Sequence, residues 1–170
     1  HPAHLHREMI QRFSQLDKLV PYIDMPIQHG SDTVLKNMRR GLGSDGIRKR
    51  IDDLRNINPD IALRTSIIVG FPGETDNEFK ELYGFVEETK FDRLGVFTYS
   101  EEEGTYGKKE YKDNIPLKIK KERLDELMRL QMKINLNKNQ DLINTIQKVI
   151  IDTHTQDGLS IGRTFRDSPE

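Results

Sequence analysis

A group of polar side chains lies in the segment PIQHGSD, residues 26–32, directly after a short apolar stretch. Gln28 offers both a hydrogen-bond donor and an acceptor, which suits the hydroxyl groups of a ribose. Arg40 follows one short helix later and has the planar donor geometry that binds a carboxylate. Because ligands of α/β proteins bind where strands end, these residues indicate a binding site. The alternative is that Ser31 and Asp32 only cap a helix and that Gln28 lies on the surface.

The turn GFPG, residues 70–73, is a second candidate, since it connects an apolar run to a helix start. Gly70 and Gly73 around Phe71-Pro72 make a tight turn in which the backbone can approach a ligand closely. Glycine and proline are also the ordinary residues of a strand-to-helix connection, and taken alone the turn favours that interpretation.

Two further sets of side chains do not predict chemistry. Three of the five histidines crowd residues 1–6, and no acidic partner has the spacing of a zinc ligand, so we predict no metal site. Residues 101–103 are three consecutive glutamates before Gly104, a pattern more typical of a solvated loop than of catalytic carboxylates.

Strands and helices that alternate along the chain must position these residues. The alternation predicts a parallel sheet with crossover helices. The second strand is a near-continuous apolar run of the kind buried on both faces. A capping box of Thr75 and Glu78 predicts the start of one helix, whose apolar side would carry Phe79, Leu82 and Val86. Strands are predicted at 22–30, 61–70 and 91–100, and helices at 3–16, 31–41, 45–58 and 75–89.

Apolar stripes define the predicted inner faces of two other helices. The lysines and arginines of the long helix after Pro116 are predicted to face solvent. The stripes are Leu5, Met9, Phe13 and Leu16 in the first helix, and Leu124, Leu127, Met128 and Ile134 in the long one.

The last segment predicts a β-hairpin. Asp157-Gly158 separates two apolar runs, which is a strong signal for a hairpin turn. With three strands before it, the chain is too short for a whole (β/α)₈ barrel, which needs about 250 residues. The pattern therefore favours part of a barrel followed by the start of a small β-domain.

Composition limits the classes of function. A net charge of −1 gives no general case for a nucleic-acid surface, and the absence of cysteine excludes thiolate ligands within this chain. No run approaches the roughly 20 apolar residues of a membrane span, and the first residues lack the apolar centre of a signal peptide. We therefore expect a soluble, cytoplasmic protein.

Four ordered blocks resemble the methylthiotransferases of the radical S-adenosylmethionine superfamily, across essentially the whole chain. They are PYIDMPIQHGSDTVLKNMRRG, LRTSIIVGFPGET, GVFTYSEEEGT and IGRTFRDSPE. His29 is similar to the branch that methylthiolates the β-carbon of an aspartate in a small-subunit ribosomal protein, whereas the branch that modifies transfer RNA typically has serine there. The resemblance implies strands four to six of the barrel in residues 1–143, and an incomplete TRAM domain, beginning with its first hairpin, in residues 144–170.

The resemblance also implies half of a site for S-adenosylmethionine. Gln28 matches a position near the ribose, and Arg40 matches the arginine that pairs with the methionyl carboxylate. Ser66 stands where related enzymes have a polar ribose contact.

The apolar part of that half-site follows from the same resemblance. Ile68 and Val69 would flank the adenine, and Phe97 would offer backbone hydrogen bonds to its edge. Arg64 is implied as a further polar residue of the lining. The glycine turn would keep side chains off the nucleoside.

The full enzyme implied by the resemblance uses two [4Fe–4S] clusters, whose cysteine ligands are absent from this chain. Its partners are the ribosomal protein, a sulfur donor and an electron donor. This chain alone should be inactive and hold no catalytic residue. The chain departs from the family pattern at Tyr106, where a small residue or proline is usual, so substrate contacts on that loop are left open.

Three alternatives remain at this stage. One is a transfer-RNA methylthiotransferase of the same superfamily, and the second is a non-catalytic half-barrel that acts as a binding module. The third is an ordinary barrel enzyme that holds phosphate at GFPGE, residues 70–74.

Overall fold

The computed structural model describes residues 1–167. After a 3₁₀ turn at Pro2–His4, strands and helices alternate. The helices are α1 Arg7–Gln15, α2 Asp32–Asn37, α3 Ser44–Ile57, α4 Asp76–Thr89, α5 Tyr106–Glu110 and α6 Leu117–Asp141. The strands are β1 Tyr22–Asp24, β2 Ala62–Val69, β3 Arg93–Thr98, β4 Ile150–His154 and β5 Ser160–Arg163.

The first three strands form one parallel sheet in the order β1-β2-β3. An isolated parallel bridge between Gln28 and Ile67 extends the pairing beyond the end of β1. The side chain of Thr65 in β2 also holds the segment after β1. Its hydroxyl donates to the carbonyl of Met25 at 2.9 Å and accepts from the backbone N–H of Ile27 at 3.2 Å. The predicted α/β class and parallel sheet are confirmed.

Strand β2 is buried on one face only. Thr65, Ile67 and Val69 are fully buried, whereas Ser66 and Ile68 between them are partly exposed. The prediction of a strand buried on both faces is therefore wrong, because helices cover only one face of the sheet in this chain. The uncovered face supplies the floor of a groove.

Only part of the predicted stripe of the first helix packs in or against the core, namely Leu5 and Phe13. Leu5 precedes helix α1, whose buried residue is Ile10. Met9 is 53% exposed and Leu16 is also exposed, so both were wrongly assigned to the core.

Helices α3 and α4 lie within one residue of their predicted bounds. Ile47, Ile51 and Leu54 are buried on α3. The capping box of Thr75 and Glu78 is present at the start of α4. The apolar side of α4 is buried as predicted and also includes Phe85; its buried hydrophobic residues are Phe79, Leu82, Phe85 and Val86.

Helix α6 buries charged side chains that were predicted to face solvent. Leu127 and Ile134 lie in the core as expected, but Met128 is 36% exposed. Lys120 and Arg123 are almost fully buried, because partners from the loops above the sheet reach them. The prediction of a wholly solvated basic face is wrong at these two positions.

The predicted hairpin is confirmed as an antiparallel pair, β4 with β5, around a turn that contains Gly158 at φ +86°. Its apolar residues Ile150, Ile151 and Ile161 are exposed. Residues 168–170, the end of the fourth sequence block and of the predicted second domain, lie outside the described residues. Whether a domain boundary falls at residue 143 stays a prediction.

Two features are absent from the described residues 1–167. No helix there is both long enough and apolar enough to cross a membrane. No cluster of three or more histidine, aspartate or glutamate side chains in that range is arranged to hold a metal ion.

Candidate functional site

A groove of about 620 Å³ lies over the carboxyl ends of the three parallel strands. Parallel strands end at the same edge of a sheet, so the residues that follow them are brought together. Five of the seven predicted binding residues line this groove: Gln28, Arg40, Ser66, Ile68 and Phe97.

Gln28 enters the groove with an unusual backbone conformation. Its φ is +74°, in the left-handed region that residues with a side chain seldom adopt. Both of its peptide groups are bonded to β2: its N–H donates to the carbonyl of Ser66 at 3.0 Å, and its own carbonyl accepts from Ile68 at 2.8 Å. The backbone of Gln28 is thus pinned to the strand that forms the floor.

Arg40 has unused donor capacity in the groove. Its Nη2 donates to the carbonyl of Pro26 at 3.1 Å. Its Nε is buried and has no hydrogen-bond partner within residues 1–167. Burial lowers the pKa of this guanidinium. A half-buried guanidinium with unpaired donors is suited to a carboxylate that comes from outside the chain.

The floor of the groove is partly apolar. Ile68 of β2 and Phe97 of β3 are register partners on neighbouring strands, and Phe97 is 58% exposed. Ser66 pairs with Gly95, whose missing side chain leaves room for the ring of Phe97. The arrangement provides a flat apolar surface with a hydroxyl beside it.

The other two predicted residues are not part of this group. Val69 is fully buried and packs in the core, since it points to the opposite face of β2 from Ile68. Its side chain therefore cannot flank a ligand in the groove. Arg64 lies nearer the start of β2, in a separate cavity, and pairs with Asp24 at 3.3 Å.

An aromatic cluster that the sequence reasoning missed forms one wall of the groove. Phe71 contacts Tyr99 and Tyr111 edge to face, with ring centroids 5.1 and 5.6 Å apart. Tyr106 contacts Tyr111. The guanidinium of Arg39 lies 3.4 Å from the centre of the Tyr106 ring. Burial raises the pKa of Tyr99.

The missed signal was positional, since Phe71 and Tyr99 lie within two residues of the strand ends where ligands bind.

The glycine turn serves a different purpose from the predicted one. Gly70 has φ +75°, and a Cβ added there would collide with the stem of Lys120. Gly73 has φ +86° and nothing near it. The close approach that requires Gly70 is thus to α6, and the turn does not keep side chains off the groove.

His29 lies behind the groove. Its side chain is fully buried, with Nε2 3.3 Å from Oε2 of Glu74, which is buried too. It therefore cannot contact a substrate. A buried side chain at this position acts on the groove only through the fold.

Comparison with known proteins places the chain in a family. The profile described as "Radical SAM superfamily" matches residues 1–86, half of the sequence. The chain belongs to the radical SAM superfamily.

Curated relatives give a narrower likeness. The chain is 44% identical over its whole length to "Ribosomal protein uS12 methylthiotransferase RimO" of Prosthecochloris aestuarii, and covers 39% of that protein. The same values relate it to the protein of this name from Bacteroides thetaiotaomicron. The protein of this name from Acetivibrio thermocellus is also 44% identical, with 38% of it covered.

The resemblance to radical S-adenosylmethionine methylthiotransferases is therefore confirmed. The chain spans about two fifths of the length of the curated relatives it matches.

Proposed function

We propose that this chain forms part of an enzyme that methylthiolates an aspartate of the small-subunit ribosomal protein uS12, and that its groove binds S-adenosylmethionine. The observation that carries the proposal is the convergence of Gln28, Arg40, Ser66, Ile68 and Phe97 on one groove. The proposed substrate is taken from the names of the curated relatives.

The chemistry of the groove suits S-adenosylmethionine. The spare donors of Arg40 match a methionyl carboxylate, and Gln28 with Ser66 offers partners to ribose hydroxyls. The apolar surface of Ile68 and Phe97 matches the adenine ring. In this proposal the backbone of Phe97 bonds the adenine edge, while Val69 and Arg64 support the strand from outside the groove.

This chain's part in the reaction is binding and orientation. Arg40 holds the carboxylate end, the strand floor holds the nucleoside end, and the aromatic wall excludes water from the space between them. S-adenosylmethionine supplies the radical chemistry when it is bound, as cofactors do in such enzymes.

The residues present do not fit an iron–sulfur cluster, because the chain contains no cysteine. We propose that the ligands of both [4Fe–4S] clusters, and the sites for the sulfur and electron donors, belong to other parts of the enzyme. The 170-residue chain alone is then inactive.

The finer architecture is part of the same proposal. Strands β1 to β3 would be strands four to six of a barrel in residues 1–143, and the hairpin would open a TRAM domain in 144–170. Ribosomal protein as substrate also implies that the enzyme works in the cytoplasm.

A chimera tests the proposed activity. All of this chain aligns to one segment of the Prosthecochloris aestuarii relative, and in the chimera this chain replaces that segment. After cluster reconstitution, the chimera receives uS12 or transfer RNA. Mass spectrometry should find one methylthio group on an aspartate of uS12.

Modification of transfer RNA instead would favour the other branch. An intact relative serves as the positive control, and a chimera that holds both clusters but modifies neither substrate would contradict the proposal.

A further inference from the structure

A buried polar network joins two of the loops that surround the groove. Glu74, in the loop after β2, lies beside His29, in the loop after β1. The same carboxylate accepts the N–H of Gly70 at 2.7 Å and pairs with Arg123 of α6 at 2.9 Å. The side chains of His29 and Glu74 have no exposed surface, so neither can take part in binding directly.

The orientation of His29 is fixed by its other nitrogen. The backbone N–H of Ser31 donates to Nδ1 at 3.0 Å. Because Nδ1 accepts this bond, a ring proton lies on Nε2, which faces Glu74 at 3.3 Å in an electrostatic contact and has no hydrogen-bond partner within residues 1–167. The ring therefore connects the start of α2 to the loop after β2.

Burial of this network is costly, and an apolar replacement of similar volume would often be as stable. What the network does provide is a fixed relation between the two loops. Gln28 is the residue that depends on that relation: it precedes His29, holds φ +74°, and is bonded through both peptide groups to β2. Strained conformations of this kind persist only where their surroundings fix them.

We propose that His29 and Glu74 are positioning residues, which hold Gln28 in the groove by locking the loop after β1 to the loop after β2, with Arg123 anchoring Glu74 from α6. The proposal rests on the function proposed for the groove, and it adds residues that do not touch the cofactor.

Two substitutions of His29 separate its two contacts. The amide nitrogen of glutamine in His29→Gln reaches the position of Nε2 and keeps an N–H group facing Glu74. The shorter His29→Asn keeps an acceptor for Ser31 but does not reach Glu74. The proposal predicts that His29→Gln retains function and that His29→Asn does not.

The first readout is the affinity for S-adenosylmethionine, measured by NMR titration of the 170-residue chain. His29→Asn should weaken binding about tenfold, because Gln28 loses the buried contact that fixes its loop, with His29→Gln close to the unsubstituted chain. Equal affinities in the two variants would overturn the proposal.

The second readout needs no cofactor. Amide hydrogen exchange is compared at Ile68, whose N–H donates to the carbonyl of Gln28, and at Met25, whose N–H donates to Arg64 on the same strand pair. In His29→Asn, exchange at Ile68 should rise about tenfold relative to Met25, because only the loop contact is released. A purely global loss of stability would raise both equally and would contradict the positioning role.

The two proposals can fail separately. If the unsubstituted chain does not bind S-adenosylmethionine, the function proposed for the groove fails, while the exchange ratio still decides the role of His29. If His29→Asn does not fold, Glu74→Gln is measured instead, with the same rise at Ile68 expected and an unchanged ratio overturning the proposal.

Discussion

Two residues with rare backbone conformations lie at the proposed site. Gln28 at φ +74° and Arg39 at φ +56° lie at the two ends of the segment that contains α2. Each such conformation costs roughly 1–3 kcal/mol and tends to occur at binding sites and switches. Gln28 lines the groove, and Arg39 backs Tyr106 of its wall, whereas Lys90 and Asn144, which also have positive φ, lie elsewhere.

The turn after β2 gives a prediction at this scale. Gly70→Ala should destabilise the chain by about 3 kcal/mol, since it combines left-handed strain with a collision against Lys120. Gly73→Ala has the same strain in open space and should cost about 1 kcal/mol. Urea unfolding measures both, and equal losses would contradict the packing described for Gly70.

The sequence predicted the residues that line the groove better than the buried residues that lie behind them. Gln28 and Arg40 were identifiable because polar donors after a strand end suit a ligand. The partner of His29 was not, since Glu74 comes close only when the sheet brings two loops together. Val69 was misplaced because the alternation of β2 sends its side chain to the core.

At the scale of elements, periodicity predicted where helices lie but not always which face they bury. Helix α4 was predicted well because its own capping box fixes its start. Helix α1 was predicted less well, since its buried residue is Ile10, outside the predicted stripe, and Met9 and Leu16 are exposed. Lys120 and Arg123 look like solvated residues in sequence, and only loop partners on other elements account for their burial.

The capping box of α4 gives a prediction that depends on pH. The hydrogen bond from the Thr75 hydroxyl, followed by the one from its backbone, lowers the pKa of Glu78 below the ordinary 4.5. A carboxylate whose pKa is lowered by folding stabilises the folded chain at pH values above its unfolded pKa. This stabilisation is lost as the pH falls through the lowered pKa of the folded chain.

Thr75→Ala should therefore cost about 1 kcal/mol at neutral pH, and the difference from the unsubstituted chain should shrink in acid. Urea unfolding at several pH values measures it. Glu81→Gln, at an exposed position of the same helix, is the control and should change little. A difference that grows in acid would contradict this account.

At the scale of the whole molecule, ion pairs join the segment that follows the hairpin to the portion that contains the parallel sheet. Arg93 pairs with Asp167, and Arg166 lies 3.7 Å from Asp92. Asp92 also pairs with Lys138 of α6 at 2.7 Å, a contact that does not need the hairpin. Since the apolar residues of the hairpin are exposed, the core does not depend on them.

A shortened chain of residues 1–143 should therefore fold. Its amide NMR signals for β2 and α4 should match those of the whole chain, because partly exposed ion pairs contribute about 1 kcal/mol or less. Collapse of the spectrum would contradict the proposed boundary after residue 143.

Titration of the chain with S-adenosylmethionine, followed by amide NMR, tests the central claim most directly. The chain spans 39% of the length of a curated relative, so binding to this half-site should be weak. We predict shifts at Ser66, Ile68 and Phe97 that Arg40→Ala abolishes or weakens about tenfold, and that the exposed control Arg129→Ala preserves. Absence of these shifts, or shifts that Arg40→Ala leaves unchanged, would contradict the assignment of the groove.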